Sequence, residues 1–285
     1  MFEYNNAFSR NIGWITRSER EVIKQTTIAI GGLGGAGGEH ALTLARMGFQ
    51  HFHLADFDEF EVHNFNRQAG AFMSTAGQAK VEVMARMIKD INPDAQVSIF
   101  TDGVTPNNID EFFANVDIYV DGIDFFCMDA RRMIYQAAQD RQIPNILAAP
   151  LGMGCAVVCF TKDSMPFDQY YRFTESKNDQ ERFIKLLIGL APALLQKSYL
   201  VDPSAANFQE QRGPSTPMAI KLCSGILVTE VVKLVLGRGD VVVAPRVLQF
   251  DAYKHKLVIS WCPFGNAGLI QRIKFSVAKQ TVLKK

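Results

Sequence analysis

The stretch Thr27-Ile28-Ala29-Ile30-Gly31-Gly32-Leu33-Gly34-Gly35-Ala36-Gly37-Gly38 decides the fold of this chain. A short apolar run bounded by glycine reads as a buried strand. Gly32, Gly34 and Gly37 fit G-x-G-x-x-G, and Glu39 to Met47 continues as a helix. In such a turn Gly32 makes the tight bend and Gly34 lets the backbone approach a phosphate. Gly37 lets helix and strand pack closely, with the phosphate on the helix N-terminus. Asp56 and Asp58 close the next strand near the ~20-residue spacing at which an acid reaches a ribose hydroxyl. This much says nucleotide, the alternative being a glycine turn with no ligand.

The polar residues beyond these two acids narrow the nucleotide. Asn64, Asn66, Arg67, Gln68 and Lys80 supply amide donors, a guanidinium and an ammonium, which suit a triphosphate better than a dinucleotide. Gly31 to Gly38, Asp56-x-Asp58, Asn64-x-x-Arg67-Gln68, Gly77-Gln78-Ala79-Lys80 and Ile91-Asn92-Pro93 together resemble the ThiF/MoeB/E1-like adenylyltransferase family. The resemblance is strong over the first half of the chain and weaker beyond it. It implies that ATP and Mg²⁺ serve to activate a carboxylate as an acyl-adenylate with release of pyrophosphate. It also implies a homodimer and an arginine in the leading segment, here Arg10, that reaches the phosphates, often from the other subunit. The bland alternative for Arg10 is a solvated surface arginine.

Strands alternating with helices predict an α/β fold: a doubly wound, mostly parallel, Rossmann-like sheet with antiparallel C-terminal strands. We read residues 1–285 as one adenylation domain. Residues 1–135 form a nucleotide-binding half, and residues 136–285 a substrate and crossover half with a variable loop at 162–215. A Ser18 cap predicts a first helix from Ser18 to Lys24. Ala79 to Asn92 is an amphipathic helix with Lys80 in its first turn. Arg182 to Leu195 is a second amphipathic piece, kinked or ended by Pro192, and the apolar helix Ile226 to Leu236 stops at Gly237. Val241 to Val243, Arg246 to Asp251 and Lys256 to Trp261 alternate as strands. The basic stretch from Gln271 to Lys285 is expected to be helical or frayed.

The fourth strand ends in Asp121-Gly122-Ile123-Asp124. By the resemblance, the Mg²⁺-holding aspartate is Asp124, with Asp121 second. Mg²⁺ borne on a triphosphate needs only one or two carboxylates. The family usually carries asparagine after this aspartate, whereas Phe125 stands here. Both acids could instead cap the next helix, and Arg131 or Arg132 on that helix is a candidate phosphate contact.

The five cysteines include no C-x-x-C pair, so neither a disulfide framework nor a structural zinc is expected. Between Phe160 and Lys221, where thiol-using relatives carry a cysteine, this chain has none. A thioester relay is therefore not expected, unless Cys223 serves. The five histidines lack metal-ligand spacing, and His63, directly before Asn64, is a candidate nucleotide contact. A net charge of +1 argues against a general nucleic-acid binder but not against a local basic patch. No signal peptide and no run of ~18 apolar residues is present, so a cytoplasmic location without membrane contact is expected.

Three carboxylates compete as substrate: the C-terminus of a ubiquitin-like or sulfur-carrier protein, a peptide, and a threonylcarbamoyl group on tRNA. His63 to Gln68, Ala79 to Ala85 and Val104 to Asn108 look closest to the branch that cyclises threonylcarbamoyladenosine on tRNA. Two other classes stay open: a non-catalytic nucleotide-binding relative and a NAD-dependent oxidoreductase.

Overall fold

A computed structural model describes residues 1–206, 210 and 213–282. The chain runs α1 (Tyr4–Ala7), α2 (Arg17–Gln25), β1 (Thr27–Gly31), α3 (Gly35–Met47), β2 (His51–Ala55), α4 (Lys80–Ile91) and β3 (Gln96–Phe100). There follow α5 (Ile109–Phe112), β4 (Ile118–Asp121), α6 (Met128–Asp140), β5 (Asn145–Leu151), β6 (Gly154–Phe160), α7 (Phe167–Tyr171) and α8 (Asp179–Leu190). The last elements are α9 (Pro217–Leu236), β7 (Arg246–Asp251), β8 (Lys256–Trp261) and α10 (Leu269–Val282).

The eight strands lie in the order β3-β2-β1-β4-β5-β6-β7-β8. The first five are parallel, and β6, β7 and β8 add antiparallel neighbours, so the predicted sheet is the observed one. Central strands are apolar on both sides because helices cover both faces. Ile28 and Ile30 of β1 pack toward α3, α4 and α9, while Ala29 packs toward α6, α7 and α8. The strand order reverses between β1 and β4. A crevice at the carboxyl ends of these two strands is where an open α/β sheet takes its ligand.

Several expectations need correction. The first helix is capped two residues earlier than Ser18: Thr16 and Glu19 form a reciprocal capping box. α9 begins at Pro217 rather than Ile226, because proline at the first helical position is an entry signal, not a breaker. Cys223 therefore sits inside that helix. Val241 to Val243 is no strand, for Val243 makes only an isolated bridge to Cys159. Residues 162–215 hold helices α7 and α8 rather than one variable loop. α8 ends before Pro192 and is buried almost throughout, so it is core. The expected C-terminal helix is α10, and residues 283–285 lie outside the described residues. Among the described residues no helix is long and apolar enough to cross a membrane.

Candidate nucleotide and metal site

The glycine turn is built around three glycines. Gly32 has φ +83°, and a Cβ there would stand 2.4 Å from the Gly122 carbonyl oxygen. A Cβ on Gly37 would lie 1.8 Å from the Gly32 oxygen, and one on Gly122 would lie 2.2 Å from it. Backbone meets backbone at all three, so only glycine lets α3 start directly against the ends of β1 and β4. Gly34 differs: the nearest atom to an added Cβ is Gln68 Nε2 at 3.7 Å. Its freedom is on the ligand side. α3 has no side-chain cap and no acid in its first turn, which leaves its N–H groups and dipole directed at the crevice.

Asp56, buried, holds this turn shut. Its Oδ2 accepts the Leu33 N–H at 2.5 Å and its Oδ1 accepts the Asp58 N–H at 2.8 Å. Burial raises its carboxyl pKa, against the pull of those two N–H groups and of Lys80. Asp58 is the exposed member of the pair. Lys80, itself buried at the first position of α4, reaches the Asp58 carboxylate at 2.8 Å and also donates its backbone N–H to the Asp58 carbonyl.

The segment after β2 folds over the same turn. Asn64 is buried in a reciprocal cap with Glu61 and organises the segment rather than facing a ligand. Asn66 donates to the Ser215 carbonyl at 3.2 Å, fastening the approach to α9 beside the site. The Arg67 stem lies 3.4 Å from where a Gly35 side chain would be, and its guanidinium donates to Asn66 and to the His63 carbonyl. Gln68 is buried against Gly34 with its side-chain oxygen unpartnered. His63 is exposed beside Glu61.

On the other side of the crevice the end of β4 separates two similar acids. Asp121 is fully buried in an ion pair with Arg131 at 2.8 Å and accepts the Ile123 N–H. Arg131 also collects the carbonyls of Ile123, Asp124 and Phe125. Neither Asp121 nor Arg131 is left for a metal or a phosphate, which corrects both as candidates. Arg132 forms a two-pronged pair with Asp168 on α7 and is likewise taken. Asp124 is exposed, its carboxylate accepting the Phe126 N–H at 2.9 Å. Cys127 stands next to it at the start of α6. Burial pushes this thiol up, and the neighbouring carboxylates of Asp124, Asp58 and Asp121 push the same way. Asp58 and Asp124 are the two exposed acids that act on this thiol. Among the described residues no cluster of three metal-ligating side chains occurs. Two acids suit an ion that arrives with phosphate oxygens and waters.

Arg10 lies elsewhere. Its segment packs at the far end of α3, where Asn11 donates to the Met47 carbonyl and Tyr4 to that of Gly48. A 13-residue helix puts it roughly 20 Å from the glycine turn of its own chain. Gly122 and Asp121–Arg131 are the residues whose parts were not expected. The signal for Gly122 was its place at a strand end beside β1, visible only once the two strands are paired.

Known proteins share this fold. A tRNA threonylcarbamoyladenosine dehydratase of Bacillus subtilis (strain 168) is 36% identical over 140 residues, covering 49% of this chain and 54% of that protein. The chain thus spans about half the length of that curated relative. Crystal structures of PaaA and of Escherichia coli MccB with ATP superpose with TM-scores of 0.68 and 0.66 at 19% and 18% identity. They cover 92% of this chain in both cases, and 74% and 75% of their own. At that identity they speak for the fold. Residues 8–264 match the ThiF family, and the chain belongs to it.

Proposed function

We propose that the chain adenylates a carboxylate: the substrate oxygen attacks the α-phosphate of ATP, pyrophosphate leaves, and the acyl-adenylate awaits a nucleophile. The observation that carries this reading is the division of labour at the end of β4, where Asp121 is consumed by Arg131 and Asp124 is left exposed. A dinucleotide site needs no such second acid. Mg²⁺, when bound, would offset the charge of the phosphates. Asp124 would hold it, and Asp58, paired with Lys80 but half exposed, would meet the ribose.

The remaining parts follow from charge and geometry. The N–H groups of Gly34, Gly35 and Gly37 take phosphate oxygens, and Asp56 keeps their loop in place. Arg67 and Lys80 neutralise the charge that develops on the phosphates, which is positioning plus electrostatics. Arg10 acts on the partner protomer of a homodimer, since its own site lies at the other end of α3. No thioester relay takes part: Cys155, Cys159, Cys223 and Cys262 are buried, burial drives the Cys155 thiol up to about 12, and the thiol of the exposed Cys127 is pushed up as well, by partial burial and Asp124.

The sequence likeness to the dehydratase covers 49% of this chain, so it does not by itself fix the substrate. The first acceptor to test is tRNA carrying threonylcarbamoyladenosine, the second a peptide C-terminus. Thermal stability decides the site: ligand at ~100 times its Kd adds ~2.7 kcal/mol. ATP·Mg²⁺ is expected to raise the melting temperature of the wild type, NAD to leave it unchanged, and Arg67→Ala or Asp124→Ala to lose the rise. A rise with NAD alone would sink the proposal. Substrate-dependent exchange of labelled pyrophosphate into ATP then separates the two acceptors.

A further inference from the structure

The loop that presents Asp124 is gripped from two sides. From within, Arg131 gathers three successive carbonyls of the loop. From without, the rings of Phe125 and Phe126, edge-to-face at 5.1 Å, close on Phe183 of α8 at 6.1 and 5.0 Å. Phe183 is buried. α8 is bound to the same region by Arg182, which pairs with Asp129 in the first turn of α6 at 2.8 Å.

The far end of α8 leads toward the opposite wall of the crevice. Ala193 donates to Gln249, and the Tyr199 hydroxyl accepts the Met153 N–H at 2.8 Å and donates to Asp251 at 2.6 Å. Met153 and Gly152 form the β5–β6 turn. Thr216 donates to the Gly152 carbonyl, one residue from the Ser215 carbonyl that Asn66 holds. α8 and the segment that follows it thus run from the Asp124 loop to the β5–β6 turn. Phe125, where the family resemblance leads one to expect asparagine, supplies one of the three rings.

We infer that Phe183 is a positioning residue for Asp124: wedged beneath Phe125 and Phe126, it fixes where the exposed carboxylate stands and ties that position to α8. The inference rests on the adenylation reading. Edge-to-face aromatic contacts hold geometry through their electrostatic preference as well as by area, and a ligand displaced by 1 Å loses most of its worth.

The test uses Phe183→Leu and Phe125→Asn, with Phe173→Leu as control. Phe173 is equally buried in the same layer, but its ring neighbours are Phe167 and Tyr171. The readout is the Mg²⁺ concentration giving half of the metal-dependent rise in melting temperature at saturating ATP, with pyrophosphate exchange alongside. Both site variants are expected to raise that midpoint by at least about tenfold and to lower kcat. KM for ATP and the shift given by metal-free ATP should stay within about twofold. Phe173→Leu should melt lower with an unchanged midpoint. If Phe183→Leu does not fold, Phe125→Asn carries the test, because Phe125 is only half-buried. Site variants that melt lower yet keep the wild-type midpoint overturn the inference, leaving the rings as ordinary core. No ATP·Mg²⁺ shift in the wild type itself overturns the adenylation reading first.

Discussion

Three single residues give separable predictions. His40, on α3 one turn past the glycine loop, is fully buried with both ring nitrogens unpartnered, and burial drives its pKa from 6.5 down to about 3. The folded chain keeps it neutral while the unfolded chain protonates it near pH 6.5. Its contribution is intact above pH 6.5 and is lost as pH falls toward 3, by up to ~1.4 kcal/mol per unit. In urea unfolding, the wild type should lose ~1 kcal/mol more than His40→Met between pH 6 and pH 5. Equal losses would place the acid sensitivity elsewhere. Asp124→Asn should leave stability within ~0.5 kcal/mol, since the side chain is exposed, yet cut pyrophosphate exchange by ~10²-fold or more. Cys127 is exposed while the other four cysteines are buried. One thiol should react ahead of the other four in the native protein, though slowly for an exposed cysteine because its pKa is raised, and ATP·Mg²⁺ should slow it further. Two such thiols, or no protection, would remove Cys127 from the mouth of the site.

At the scale of elements, the glycine turn separates folding from binding within four residues. Gly37→Ala puts a methyl 1.8 Å from the Gly32 oxygen, so the backbone must move, at a cost of ~3 kcal/mol or more. Gly34→Ala meets nothing closer than 3.7 Å. It should melt within a degree or two of wild type, the scale of ~0.5 kcal/mol, and lose the ATP shift. If Gly34→Ala binds ATP normally, the phosphate does not approach this turn. The contrast also marks what the sequence could and could not tell. G-x-G-x-x-G carries its own spacing, so the β1–α3 turn was legible, as were the alternating strands around it. Gly122 and the Asp121–Arg131 pair act through neighbours that only strand pairing brings together. Of two aspartates three residues apart, nothing in the local sequence says which one is buried. Helix ends failed where a cap was misread, at Thr16 and Pro217, and α8 was ambiguous because its buried face runs nearly all round.

At the scale of the whole molecule, the sheet leaves β8 as an unpaired edge beside an apolar surface. Leu257, Ile259 and Trp261, at alternate positions of β8, are 58%, 51% and 69% exposed. They share the face of Phe250 and hence of α9. On the opposite face, α10 exposes Leu269, Ile270, Ile273 and Val277. An exposed edge flanked by apolar side chains on both faces is an aggregation risk unless covered. Antiparallel pairing of β8 with a second copy about a two-fold axis would cover it, presenting the same strand to itself. Ile259→Lys with Trp261→Glu should therefore give a monomer by light scattering, with little change in melting when corrected for concentration. A dimer that survives both charges puts the interface elsewhere. The proposed homodimer bears also on Arg10, which stands roughly 20 Å from the glycine turn of its own chain. Inactive Arg10→Ala and inactive Asp124→Ala protomers, once mixed and exchanged, form heterodimers in which one site is intact, because its Asp124 and the Arg10 that serves it come from the two unmutated halves. Mixing should restore up to about a quarter of wild-type activity if half of the dimers are mixed and each carries one working site. Without recovery, Arg10 does not act across the interface and falls back to a surface arginine.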